Sequence, residues 1–269
     1  MALNTYFPEG NPSTSSSLNA GSVLFSSPGT YVASLTAVDN LGVNDPSPPT
    51  RTITVQSPAG TPTYVQSNSV TPETPQTTVT VPYFAAQTAG NLNLVIVGWN
   101  DTKAQVSSVT DSKGNVYSLA VGPTLLSAAA GGPLTQSIYY SKNIAAATAG
   151  ANAVTVTFTA AAVFADIRVS EYSGLNSANP LDVAVGASGN SATSSSGSVT
   201  TTSATDLLVG ANTVETSTIG AGTGFTQRLT TPDGDIAEDR AVTATGSYSA
   251  TAPLSSAGGW VMQMVALHP

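Results

Sequence analysis

The chain has no cysteine, a single histidine and only 8 % charged residues in 269 positions. Each shortage removes a class of chemistry. Without thiols there is no disulfide framework and no thiolate metal site. A Ser–His–acid triad needs an imidazole held in place by its neighbours, whereas His268 is the penultimate residue and reads as a solvated terminal side chain. One imidazole and no thiol also leave no zinc or copper site of ordinary composition. The 7 basic residues face 15 acidic ones and form no run. Nothing therefore neutralises a phosphate backbone, and neither nucleic acid nor an anionic membrane surface is an expected partner. Apolar stretches such as 160–165 are too short to span a bilayer, so no membrane insertion is expected. Met1-Ala2-Leu3-Asn4 has neither the charged start nor the apolar run of a signal peptide.

Helix signals are nearly absent as well. No long segment carries apolar residues at three- and four-residue spacing. What fills the chain is a 41 % hydrophobic fraction set in short alternating runs of Val, Ile, Thr and Tyr, bounded by Gly, Pro, Asn and Ser. Such runs are strands, and their dense spacing predicts an all-β sandwich or barrel. With so little charge, solubility rests on Ser, Thr, Asn and Gly, a composition that favours a secreted or cell-surface protein. On that reading the chain is expected to be a fragment of a longer exported protein.

The first segment is read as 1–57. Ser27-Pro28-Gly29-Thr30 makes a turn, Tyr31 to Val38 a strand with Tyr31, Ala33, Leu35 and Ala37 on one face, Asp39-Asn40-Leu41-Gly42 a second turn, and Arg51 to Gln56 a closing strand. The string SPGTYVASLTAVDNLG, followed by RTITVQ, resembles the C-terminal half of a PKD-type domain over residues 10–56. The resemblance implies a small immunoglobulin-like sandwich of the sort frequent in large extracellular bacterial proteins. The family's opening strands would precede Asn4, and its WDFGDG-like stretch is represented only by Tyr6-Phe7-Pro8-Glu9-Gly10. The module is therefore expected to be partial, with an open β-edge free to pair with the second domain or another chain.

Residues 58–62, Pro-Ala-Gly-Thr-Pro, read as a short semi-rigid linker, and 63–269 as the second domain. Fourteen strands are predicted in it, among them Leu92–Trp99, Asp166–Tyr172, Asp206–Asn212, one long strand Ile236–Tyr248, and Trp260–Leu267. Asp111-Ser112-Lys113-Gly114-Asn115 and Pro232-Asp233-Gly234-Asp235 are predicted hairpin turns. Asn93 to Asn100 resembles Asp206 to Asn212 when Gly98 is set on Gly210, and each half closes on an aromatic-led strand, Phe164 in one and Trp260 in the other. Two related halves in one double-sheet, jelly-roll-like sandwich are expected; chance similarity between Thr-rich strands is the alternative. The domain is similar in kind to β-sandwich modules of long bacterial surface proteins.

Three groups of side chains could carry function. Trp99 with Asn100 and Asp101 sets an aromatic beside polar groups at a strand end, and in Tyr139-Tyr140 alternation must turn one ring outward. These five are the candidate ligand-binding residues, with core packing the competing role for the tryptophan. Asp233, Asp235, Glu238 and Asp239 are the densest acids, readable as a solvated hairpin tip, a calcium site lacking the full EF-hand loop, or part of a catalytic pair. Asp166 and Arg168 read as a surface ion pair. Glu171 falls on the apolar face of the same strand. Buried without a partner it would become a general acid, and a bulge would instead turn it outward. If the chain is an enzyme, Glu171 and Asp235 are the expected catalytic pair. Three functions follow: a non-catalytic extracellular module for adhesion, carbohydrate binding or spacing; a carboxylate-dependent glycoside hydrolase or lyase; and a structural subunit assembling through its open edge. The expected partner is a polysaccharide or another surface protein.

Overall fold

The computed structural model describes residues 2–17, 19, 21–25, 29–55 and 60–269. The protein is all-β and divides into two compact units, Met1–Ala59 and Gly60–Pro269.

The first unit holds β1 (Ala2–Tyr6), β2 (Gly10–Asn11), β3 (Thr14–Ser15), β4 (Leu24–Phe25), β5 (Gly29–Val38) and β6 (Thr50–Val55). A sheet in the order β3-β1-β5-β6 stands beside the β2-β4 ribbon. Among the described residues its buried apolar side chains are Phe7, Tyr31 and Ala33, with Phe25 stacked on Tyr31 at 4.6 Å. The predicted face of β5 begins as expected and then surfaces, because Leu35 is exposed. Tyr6 belongs to a full strand paired with β5, and Phe7 after it is core. Ser27, Pro28 and Gln56 of the predicted turn and closing strand lie outside the described residues, as do Pro58 and Ala59 of the linker.

The second unit begins before Thr63: Gly60 packs so closely on Gly174 that a side chain there would collide with its backbone. Its strands are β7 (Thr63–Val70), β8 (Gln76–Pro82), β9 (Leu92–Trp99), β10 (Val106–Asp111), β11 (Ser118–Leu126), β12 (Leu134–Ser141), β13 (Ala153–Ala162), β14 (Asp166–Ser173), β15 (Leu181–Ser195), β16 (Val199–Thr200), β17 (Asp206–Val214), β18 (Thr226–Thr230), β19 (Ile236–Val242), β20 (Ser247–Tyr248) and β21 (Thr251–Leu267). A five-stranded sheet, β11-β12-β9-β14-β7, is covered on one face by β10-β13-β8. A second five-stranded sheet, β15-β21-β17-β19-β18, is covered by the β16-β20 ribbon.

Three apolar layers hold these sheets. Val79, Val81, Val95, Val97, Val154, Val156 and Ile167 fill the first sandwich. Leu208, Ile236, Met262 and Met264 fill the second. Between them, Leu92, Leu94, Ile96 and Ile138 of one five-stranded sheet meet Leu207, Val209, Val265 and Leu267 of the other. The unit is thus two jelly-roll sandwiches stacked through their larger sheets, rather than one double-sheet sandwich. The strand order is the same in both: β7, β14, β9, β12, β11 in the first and β15, β21, β17, β19, β18 in the second. Each is ordered by first, last, third and later strands of its half, the jelly-roll winding.

β9, β14 and β17 are buried along nearly their whole length. β9 and β17 are largely apolar, as strands covered on both faces tend to be, whereas β14 alternates Asp166, Arg168, Ser170 with Ile167, Val169 and buries both sets. The alignment of Gly98 with Gly210 sets opposite faces of the two strands against each other. Gly98 faces Thr213 and Arg168 between the halves, whereas Gly210 faces Ala250 and Glu238 on the outer side. A shift by an odd number of residues exchanges the two faces of a strand, so Gly98 and Gly210 are not structurally equivalent.

Two turn predictions resolve differently. Thr231 N and Asp235 O close a true hairpin between β18 and β19, with Gly234 at φ 88°. The Asp111–Asn115 turn instead carries the chain from one sheet to another, because β10 pairs with β13 and β11 with β12. The predicted strand Ile236–Tyr248 is broken at Val242, and its second part joins a different sheet as β20.

Candidate functional site

The first sandwich is asymmetric: five strands on one side and three on the other. With neighbouring strands about 4.8 Å apart, three strands cannot cover five. The uncovered strip lies over β12 and β11, next to β10. There the chain encloses a cavity of about 240 Å³. Its floor is buried: Trp99 closes β9, and Thr135 and Ser137 project from β12. Its rim is exposed, with Pro123 and Leu125 from β11 on one side and Gln105 on the other.

Trp99 packs edge-on against Phe158 at 5.5 Å and is 1 % exposed, yet its Nε1–H meets no acceptor. Trp260, the other tryptophan, donates its Nε1–H to Ser191 Oγ at 2.9 Å. Tyr139 stands on the same β12 face as Thr135 and Ser137 and lines the cavity. Burial raises its phenol pKa, with a hydrogen bond from the Ser137 side acting the other way. No Asp, Glu, Lys or Arg is among the described residues lining this cavity.

Of the five predicted ligand residues, the structure brings Trp99 and Tyr139 together. Asp101 braces the cavity wall from within. Its Oδ1 accepts from Lys103 N and Ala104 N, both at 2.7 Å, its Oδ2 accepts from Val163 N at 3.1 Å, and its carbonyl accepts from Thr135 Oγ1 at 2.6 Å. Tyr140 points to the opposite face by alternation and lines a different hollow with Lys142 and Asn115. Asn100 lines a third, acidic one.

That acidic cleft, also of about 240 Å³, is formed by Glu73, Glu215, Asp233 and Asp235 with Asn100 and Phe164. Phe164 is 43 % exposed and sits at φ 43°. Burial raises the pKa of Glu215 and of Asp233, the latter further through Asp166 and Glu73. Glu73 and Glu215 went unnoticed in the sequence because they are distant from the Asp233 cluster along the chain.

The predicted catalytic pair does not form. Glu171 is fully buried and satisfied: its Oε1 accepts from Asn91 Nδ2 at 2.6 Å and Thr88 N at 3.3 Å, its Oε2 from Gln66 Nε2 at 2.7 Å. A register shift against β7 does occur at Glu171, but it does not turn the side chain outward. Asp235 lies beside Asp166 at the other end of β14, about five residues or ~17 Å along the strand from Glu171 and on the opposite face. A glycosidase pair stands within about 10 Å.

The predicted surface pair is interior. Arg168 Nε lies 3.0 Å from Asp166 Oδ1, and the guanidinium donates to Asn212 O and Ile236 O, both at 2.7 Å. Asp235 Oδ2 is 3.9 Å from Arg168, and Thr231 Oγ1 donates to Asp166 Oδ2 at 2.6 Å. The cluster ties the two sandwiches together. Burial and the Asp166 charge push the Asp235 pKa well up.

The four acids expected at a hairpin tip are likewise dispersed. Asp235, Glu238 and Asp239 are buried rather than solvated. Alternation along β19 places Glu238 on the outer face, where it accepts from Gly222 N at 2.7 Å, and Asp239 on the inner face, where it meets Arg228 Nε at 2.7 Å. Among the described residues no three acidic or imidazole groups converge where a cation could be held. Also among them, no helix is long and apolar enough to cross a membrane. No family model matches the chain, and no curated protein matches it.

Proposed function

We propose that the chain is a non-catalytic extracellular module that holds a polysaccharide or another surface protein without cutting it. The observation that supports this most is the cavity under Trp99. It is open to solvent and lined by neutral side chains. The deeply buried acids, by contrast, are occupied in holding the fold, as at Glu171 and Asp239. The Ser- and Thr-rich composition and the PKD-like first unit support an exported protein in which 1–59 acts as a spacer. A broad polysaccharide panel, read for both binding and reducing-end release, tests this. Binding without release is expected.

One observation favours a second reading, a carboxylate-dependent hydrolase or lyase. Glu215 and Asp233, both with raised pKa values, line one cleft with an outward Phe164. Release of reducing ends that disappears in Glu215→Gln or Asp233→Asn would replace the first reading with this one.

A further inference from the structure

We propose that the hollow beside β11 and β12, lined by Ser118, Tyr140, Lys142 and Asn143, holds one uronate ring of an otherwise neutral polysaccharide, with the carboxylate on the Lys142 ammonium. The inference rests on the binding-module reading above for the polymer, and it names a second site, separate from the cavity at Trp99.

The hollow measures about 300 Å³ and is lined also by Gly114, Asn115 and Val116. That volume is at the lower end of the ~300–1,000 Å³ found for ligand pockets, so one ring fits and the rest of a chain stays outside. The lining groups are within reach of solvent. Ser118, Lys142 and Asn143 are exposed, Tyr140 is half-buried, and Val116 is 81 % exposed. Ser118 and Tyr140 are directly opposed partners in β11 and β12, so their side chains stand on one face.

The fold uses some of these groups and leaves others. Asn115 is used: its Nδ2 donates to Asp111 Oδ2 at 2.7 Å and its Oδ1 accepts from Ala145 N at 2.9 Å. Among the described residues no hydrogen bond engages the side chains of Ser118, Tyr140 or Asn143. They offer two hydroxyls and an amide, which can donate to ring oxygens and accept from ring hydroxyls. Lys142 Nζ donates to Ala178 O, and an ammonium has two further protons to give. Val116 adds an apolar surface for the C–H face of a ring.

Charge selects which ring. Among the described residues Lys142 forms no ion pair, and no acid lines the hollow. Asp111, behind Asn115, is occupied by five donors: Lys113 N, Asn115 N, Asn115 Nδ2, Tyr117 OH and Asn152 Nδ2. A carboxylate on Lys142 gains a charge-assisted hydrogen bond that a neutral ring lacks. A small carboxylate without a ring leaves the two hydroxyls and the amide unmet. The net charge of -8 repels a polymer charged at every ring, and one ammonium matches one carboxylate.

The test titrates the full chain in ¹H–¹⁵N spectra with methyl glucuronoside and methyl galacturonoside. Methyl glucoside and methyl galactoside serve as neutral rings, and acetate as a charge without a ring. A saturable shift of the Ser118, Lys142 and Asn143 amides is expected with at least one uronoside, with affinity about tenfold lower for its neutral counterpart and for acetate. Lys142→Gln, at an exposed position, keeps a donor for Ala178 O and removes the charge. It should weaken the uronoside about tenfold and leave the neutral glycoside unchanged. Asn143 sits at φ 50°, a backbone that glycine adopts without strain. Asn143→Gly therefore keeps the turn, deletes the amide, and should weaken the uronoside about threefold.

Equal affinity for uronoside and neutral glycoside, or for uronoside and acetate, would overturn the inference. So would a uronoside affinity unchanged in Lys142→Gln, or those three amides unmoved by both uronosides. A polysaccharide that binds Lys142→Gln as well as it binds the full chain would overturn it yet leave the module reading in place. Reducing-end release with no polysaccharide bound would sink the module reading itself.

Discussion

At the scale of single residues, the side chains that matter most here are charged groups with no water. Arg168 reaches two carboxylates and two carbonyls at the seam between the sandwiches. Removing one partner of such a buried set leaves the others uncompensated, which costs about 3–5 kcal/mol. Arg168→Ala should therefore lower the unfolding free energy of the second unit by that amount, extrapolated from urea titrations of the fluorescence of Trp99 and Trp260, which both lie in it. A loss under 1 kcal/mol would show that the seam does not depend on this group. Glu238 sets a pH dependence. Burial raises its pKa from 4.5 to about 7, against the Gly222 N–H acting the other way. Between those values the folded state keeps a proton that the unfolded state has released. The contribution is complete below pH 4.5 and is lost as pH rises through about 7, amounting to about 3 kcal/mol at 1.36 kcal/mol per unit. Asp206, raised to about 6 by burial and then by Asp182, acts in the same direction. Urea midpoints should fall between pH 4.5 and 7.5, and Glu238→Gln should flatten that fall. Equal slopes in the two proteins would refute the assignment. None of this was legible in the sequence: Asp166 and Arg168 read as a surface pair because alternation alone does not reveal that both faces of β14 are covered.

At the scale of strands, alternation was read correctly and the surroundings were not. Leu92–Trp99 is a strand in sequence and in structure, with the same ends. The rule that places Tyr139 and Tyr140 on opposite faces sends Tyr139 to the cavity and Tyr140 to the seam. Sequence reasoning could not tell which face was which, because that depends on the three-stranded cover ending at β10. Gly98 shows the same limit. A strand glycine suggests a close backbone approach, and here the approaching groups are Thr213 and Arg168 from β17 and β14. Gly98→Ala should force the two large sheets apart and cost about 1–3 kcal/mol, whereas Gly114→Ala, in an open turn at φ 74°, should act only through its backbone and leave sheet packing unchanged. Amide exchange in β9 and β17 that accelerates in the first variant but not in the second would confirm the difference; identical exchange would contradict it.

At the scale of the whole molecule, the two sandwiches of the second unit share one layer of core. Leu92, Leu94, Ile96 and Ile138 of the first pack in one cluster with Leu207, Val209, Ala211, Ala237, Val265 and Leu267 of the second. Residues 60–269 made alone should retain the tryptophan-reported unfolding transition of the full chain. Residues 60–179 alone should lose it, giving poorly dispersed amide spectra or aggregating through the bared sheet. Cooperative unfolding of 60–179 would show instead that the seam is a contact between independent domains. What the sequence determined by itself was local: period-two patterning, glycine and proline punctuation and the shortage of charge are enough to specify strands, turns and an all-β class. They suffice because each depends on a few adjacent residues. The tertiary structure decided which strands lie between two sheets, where a narrow sheet leaves a wide one uncovered, and which acids share a cleft. Those outcomes depend on pairings between residues far apart in the chain, and burial, the quantity that turns a patterned side chain into core, ion pair or binding surface, exists only once those pairings are made.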